Sequence, residues 1–166
     1  MTLLCAAMPA LYERLSIQGG EPDMKFATKA IAISVVLIAG VAFAGKSTDP
    51  DAMARQTLMD TVGMNTKILG DFAGGKVPFD AAAAEAAKAA LGDAAGKIAA
   101  TFKPQGTDDK SEAKPDIWTN WDDFVAKADG LVKASAALDA STVEGVQAGM
   151  GGLGGACKDC HTKYRL

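Results

Sequence analysis

The sequence closes on Cys157-Lys158-Asp159-Cys160-His161, with only Thr162 to Leu166 after it. Two cysteines three residues apart, with a histidine directly after the second, form the Cys-x-x-Cys-His pattern of covalent c-type haem attachment. On a helix, residues three and four apart share a face. Cys157 and Cys160 are then placed to meet the two vinyl groups of one haem. His161, four residues after Cys157, points its imidazole at the iron as the proximal ligand. No other stretch constrains the chain as tightly, because this one names a covalent bond, an iron ligand and a compartment together.

Two other chemistries use such a pair. A thioredoxin-like dithiol expects a βαβ pattern nearby, and this chain shows none. A zinc site needs about four nitrogen or sulfur ligands. Outside the motif the only other cysteine is Cys5, and His161 is the only histidine. Carboxylates could complete a zinc site, but nothing in the sequence points to them. The expected cofactor is one haem c, covalent through Cys157 and Cys160.

Attachment of this kind takes place outside the bacterial cytoplasmic membrane, so an export signal is required. Met24-Lys25-Phe26-Ala27-Thr28-Lys29 is a basic n-region, Ala30 to Phe43 is an apolar h-region, and Ala42-Phe43-Ala44 is an A-x-A cleavage site. The apolar run falls short of the ~20 residues of a membrane span, which favours a signal peptide over residues 24–44, cleaved after Ala44, above an uncleaved anchor. The expected location is the periplasm. A signal peptide that starts at Met24 is complete without residues 1–23. The expectation is that Met24 is the true start and that residues 1–23 are upstream reading frame. Gln18-Gly19-Gly20-Glu21 agrees, since its codons can spell a purine-rich ribosome-binding site. Cys5 would then be absent from the mature protein.

The mature chain, 45–166, is one domain's worth of residues. Across the full sequence 17 Lys and Arg stand against 20 Asp and Glu, and no basic cluster suggests nucleic acid. Abundant alanine with few β-branched or aromatic residues favours helix. No Walker, Rossmann or nucleophile-elbow motif is present, and no enzymatic activity is expected.

Turn signals divide the domain into four helical segments. The first opens at Asp49-Pro50, continues through Met53, Leu58, Val62, Ile68 and Leu69, and is expected to be capped by Gly70. Asp80 starts the second, an alanine run carrying Leu91 and Ile98 that ends near Phe102 and is weakened at Gly92 and Gly96. The polar stretch from Lys103 to Lys114, with Pro104 and Gly106, is the longest loop and reads as a crossover. The third helix enters at Pro115-Asp116 and keeps i, i+3, i+4 spacing through Ile117, Trp118, Trp121, Phe124, Val125, Ala128, Leu131, Val132 and Leu138. Ser141-Thr142-Val143-Glu144 reads as a capping box for the last helix, which carries Val146, Met150 and the haem motif. The expected fold is all-α, an antiparallel four-helix bundle with the haem on its last helix.

The stretch Leu153-Gly154-Gly155-Ala156-Cys157-Lys158-Asp159-Cys160-His161-Thr162-Lys163-Tyr164-Arg165 resembles the C-terminal motif of class II c-type cytochromes, the cytochrome c′ family and its low-spin relatives. Arg55-Gln56, Pro78-Phe79-Asp80 and Pro115-Asp116-Ile117-Trp118 extend the resemblance over residues 50–166. It leaves the sixth iron position as the deciding question. In cytochrome c′ an apolar side chain of the first helix sits there without binding iron, and the five-coordinate site takes NO or CO. In the low-spin branch a methionine ligates. The resemblance places Met59, four residues after Arg55, at that position, and the continuation Met64-Asn65 to Leu69-Gly70, then Lys76-Val77-Pro78-Phe79-Asp80, looks more like the low-spin branch. Residue chemistry alone favours ordinary core packing for Met59. Met53, Met64 and Met150 compete for the ligand role and read as core.

The resemblance also implies that Arg55 and Gln56 meet the haem propionates; a solvated helix face is the other reading. Arg165, one helical turn after His161, is placed to bias the haem by its charge. Gly154 would let the helix approach the macrocycle. Trp118 and Trp121 read as bundle core. The leading expectation is a periplasmic electron-transfer protein with His161 and Met59 on the iron and unidentified redox proteins as partners. The alternative is a cytochrome c′-like five-coordinate protein that binds NO or CO. Pairing into a homodimer through the first two helices stays open.

Overall fold

In the computed structural model, residues 45–166 are described. The expected signal peptide 24–44 and the upstream segment 1–23, with Cys5, lie outside the described residues. Asp49 starts the first helix from extended backbone, accepting the Ala52 N–H at 2.9 Å, and Pro50 follows at the first helical position, where its missing N–H leaves nothing unpaired. This helix, α1, spans Pro50–Ala73. It passes through Gly70, where the sequence suggested an end, and stops at Gly74, whose N–H donates to the Gly70 carbonyl at 2.9 Å. A glycine inside a helix costs only about 0.5–1 kcal/mol. Phe72, buried in the added turn, outweighs that. Gly75 adopts φ 64° to reverse the chain.

Asp80 caps α2, Ala81–Gly96, by accepting the Ala83 N–H at 3.1 Å. The expected helix breaks at Lys97 and resumes as α3, Ile98–Phe102. The third segment is also divided. A single turn, α4, covers Asp116–Thr119, and α5 covers Trp121–Ala137. Asn120 stands between them, its side-chain amide donating to the Asp116 carbonyl at 3.1 Å, a local bond that competes with the helical ladder.

The last helix, α6, spans Val143–Tyr164. Its cap is Thr142, which accepts the Gly145 N–H at 3.0 Å, so the expected box anchored on Ser141 does not form. The Ser141 hydroxyl donates instead to Asp139 at 2.6 Å.

The long helices α1, α2, α5 and α6 form a four-helix bundle in which α1 and α5 each pack on both α2 and α6. Leu69, Leu91, Leu131 and Leu153 meet in the core, and Ala84, Ala87, Ala94 and Ala95 let α2 come close. Met53 and Met64, read as core, are 42% and 60% exposed, and Ile68 is exposed as well. Trp118 and Trp121 are half-buried at the core's edge. Among the described residues no helix is long and apolar enough to cross a membrane.

The crossover, residues 103–115, is tied at both ends. Asp108 accepts from the Ser47 hydroxyl at 2.6 Å and from the Thr48 and Asp49 N–H groups at 2.8 and 3.1 Å. These donors, led by Ser47, hold its carboxyl well below the usual carboxylate range. At the other end Leu166 N–H donates to the Glu112 carbonyl at 2.9 Å and Lys114 N–H to the Tyr164 carbonyl at 3.0 Å.

Two outcomes follow from this packing. A Cβ at Gly149 would stand 2.8 Å from Leu138 Cγ, whereas one at Gly151 meets open space. In urea unfolding, Gly149→Ala should cost about 1–3 kcal/mol, and Gly151→Ala should gain about 0.5–1 kcal/mol. A depressed carboxyl stabilises the fold above its unfolded pKa and loses that contribution as pH falls through the lower folded value. The stabilisation from Asp108 should therefore be complete above pH ~4 and fade with acidification. Asp108→Asn should flatten that part of the urea-midpoint profile against pH.

Candidate functional site

The haem motif occupies the last turns of α6, where its spacing brings Cys157, Cys160 and His161 to the wall of one cavity of about 750 Å3. That volume lies within the roughly 300–1,000 Å3 usual for small-molecule and cofactor sites. From α1 come Arg55, Gln56, Met59 and Val62; from the bundle interior come Phe102, Phe124, Ala128 and Leu131; from the crossover come Lys110, Ser111, Glu112 and Ala113. Tyr164 and Arg165 complete the α6 side. Tyr164 is held by its hydroxyl, which donates to Asp123 at 2.5 Å, and by an edge-on contact with Phe124 at 5.4 Å.

The two thiols are half-buried and free. Burial raises both; Cys160 reaches about 11, with the Lys127 ammonium pulling the other way. Both therefore stay protonated at neutral pH, which disfavours thiolate redox chemistry. The His161 imidazole is lowered, first by desolvation and then by the Arg165 charge, against an opposing pull from Glu112. A neutral imidazole is the form that offers a lone pair to a metal.

Arg55 is only 3% exposed. It donates through Nη1 to the Pro104 carbonyl at 2.9 Å and through Nη2 to the Gly106 carbonyl. Its guanidinium carbon lies 5.4 Å from the Trp118 ring and 5.7 Å from the Phe102 ring. Nε is buried without a protein partner. An orphan donor on a cationic group at a cavity wall is what an acidic cofactor edge would satisfy. Gln56 is spent on the crossover, accepting from Ser47 N–H at 2.8 Å and donating to the Lys110 carbonyl at 3.0 Å. The thiol pair, the neutral imidazole, the apolar wall and this orphan donor together fit a haem.

Of the competing methionines, Met53 and Met64 are exposed, and Met150 packs against the core away from the cavity wall. Met59 does line the cavity, and it also packs against the core cluster. Gly154 has open space where a Cβ would stand. Sequence reasoning missed Glu112, which pairs with Arg165 from the crossover. Its only local signal is an acid in a polar loop, which says nothing about a partner more than fifty residues away.

The model of the family described as Cytochrome C′ matches residues 51–165. The chain belongs to the cytochrome c′ family. It is 37% identical over 121 residues to a cytochrome c-556 from Agrobacterium tumefaciens, covering 68% of this chain and 92% of that protein. The solved cytochrome c′ from Rhodobacter Spheriodes superposes with a TM-score of 0.63 at 31% identity, over 70% of this chain and 95% of its own. A nitric oxide complex of a cytochrome c prime mutant from Alcaligenes xylosoxidans gives 0.61 at 28% identity, over 72% and 98%.

This corrects the assignment to a low-spin branch with Met59 on the iron, and with it the reading as a His/Met electron carrier. The matching family is the histidine-ligated, five-coordinate one. The physical reason lies in Met59 itself. A thioether one turn after Arg55 is equally well explained by packing, and a flexible apolar side chain filling a wall needs no bond to a metal. Family members are c-type cytochromes, generally periplasmic or secreted, and are haem proteins without catalytic activity rather than enzymes.

Arg55 generates a prediction of its own. Lysine cannot reproduce the fork that serves both Pro104 and Gly106 or the stacking between Phe102 and Trp118. Arg55→Lys should lower stability by about 1–3 kcal/mol through the carbonyl left unpaired, read as a reduced urea midpoint of the haem-loaded protein.

Proposed function

We propose that this chain is a periplasmic haem protein that binds small gas molecules such as NO and CO at a five-coordinate iron. One haem c is joined to Cys157 and Cys160, and His161 is the only protein ligand. The observation that carries this reading is the composition of the cavity. The thiols and the only histidine of the chain share one wall, and Met59, Val62, Phe124, Ala128 and Leu131 line the same cavity as apolar side chains, beside charged and polar ones such as Arg55, Gln56 and Lys127. The nitric oxide complex among the solved relatives supports the same choice of ligand. A haem held by these residues would supply an iron able to bind a diatomic gas.

The chain's own residues do the rest. Desolvation keeps His161 neutral and available to the metal. Met59, Val62, Phe124 and Leu131 give the cavity an apolar patch that would favour an uncharged diatomic over hydrated anions. Arg55 Nε and the cationic groups at the rim are placed for the acidic edge of the cofactor, the role the resemblance assigns to Arg55. Gln56, whose amide bonds tie the crossover to α1, supports that edge rather than binding it. Residues 45–166 form the mature protein, released by cleavage after Ala44.

The reading is tested by CO titration of the reduced protein. Wild type should bind CO readily. Met59→Leu, which keeps an apolar wall and removes the sulfur, should leave the ferric spectrum unchanged. Met59→Ala should speed CO entry several-fold by opening that wall. A ferric spectrum that turns from low to high spin in Met59→Leu would show that the thioether had been on the iron and would sink the proposal.

A further inference from the structure

Glu112 sits in the crossover, far in sequence from the haem motif, yet it lines the same cavity as His161 and Arg165. Its carboxylate takes Arg165 Nε and Nη2 on one oxygen, Oε2. The backbone reinforces the meeting. Ala113 and Arg165 form an antiparallel bridge, and the Leu166 N–H donates to the Glu112 carbonyl at 2.9 Å. Arg165 in turn begins where α6 ends, its N–H on the His161 carbonyl at 3.1 Å. Two opposite charges are thus held by backbone on both sides, one helical turn from the imidazole. Each side chain is about half exposed, and pairs of that kind add little to stability. Their lasting effect is electrostatic and local, and two opposite charges act on a group beside them with opposite signs.

We propose that Glu112 is a positioning residue, which holds Arg165 beside His161 and cancels its charge there, so that the pair sets the reduction potential of the haem. This rests on the placement of haem at Cys157, Cys160 and His161, and not on whether the sixth position is open. Oxidation of the iron adds one positive charge. A nearby negative group favours the ferric state and a nearby positive group the ferrous state.

The test is spectroelectrochemical titration of the haem-loaded protein and of Glu112→Gln, Arg165→Gln, the double variant and Glu112→Asp. Glu112→Gln should raise the midpoint potential, leaving Arg165 uncompensated. Arg165→Gln should lower it. The double variant should return close to wild type. Glu112→Asp keeps the charge with a shorter reach and should leave the potential much closer to wild type than Glu112→Gln does. These shifts should shrink as salt is added, because the pair is half exposed. Single variants that shift in the same direction, or that leave the potential unchanged with normal haem content, would overturn the proposal. A purely structural role would lower thermal stability without the reversal of sign. A low-spin wild-type protein would defeat the gas-binding reading while leaving this test intact, since the potential is read on any c-type haem.

Discussion

The cavity depends on how α6 is held at its far end. Helical spacing alone puts Cys157, Cys160 and His161 on one side of α6, but spacing does not say which way that side faces. The direction is set by Leu153, buried one turn before Cys157, and by Tyr164, buried one turn after Cys160. Between these two anchors the thiols must face the bundle. Tyr164 is fixed in turn through Phe124 and Asp123 on α5. Losing that anchor would free the last turn of α6, and with it the imidazole, while the rest of the bundle core remained in place.

A second constraint closes the cavity from the opposite end. The crossover is polar and carries little apolar area of its own, so it stays in place through bonds to α1, to the residues before α1 and to the end of α6. Arg55 reaches it from the core and satisfies two of its carbonyls, Asp108 gathers donors from Ser47, Thr48 and Asp49, and the bridge at Ala113 joins it to Arg165. Such bonds hold because a buried carbonyl without a partner costs about 1–3 kcal/mol. The loop that the sequence marks only as long and polar is therefore a structural wall of the site.

The bundle was legible from sequence because its signals are local. Asp49-Pro50, the alanine run after Asp80, the spacing from Ile117 to Leu138 and the haem motif each report on their own segment, and the four long helices stand where those signals put them. The misses have the same origin. Gly70 looks like a stop only to a reader who cannot see Phe72 buried beyond it. Met53 and Met64 look like core because apolar type does not reveal which face of α1 turns outward. The Met59 error is of another kind. Packing and ligation ask for the same residue at the same place, so the sequence does not separate them, and the similarity of the stretches Met64-Asn65 to Leu69-Gly70 and Lys76 to Asp80 to the methionine-ligated branch says nothing about the iron. The Glu112–Arg165 pair was invisible because nothing within either segment announces the other.

The division of labour in the cavity is simple in physical terms. The α6 wall carries the thiols and the imidazole, and the α1 and α5 walls combine apolar side chains with Arg55, whose Nε is a buried donor without a protein partner. On the proposed reading, such a site would hold an iron from one side. The most direct measurement is the electron paramagnetic resonance spectrum of the ferric wild-type protein at neutral pH. A high-spin ferric signal is the result this arrangement predicts. A low-spin signal, with the far-red charge-transfer band of a methionine–iron bond in the optical spectrum, would contradict it.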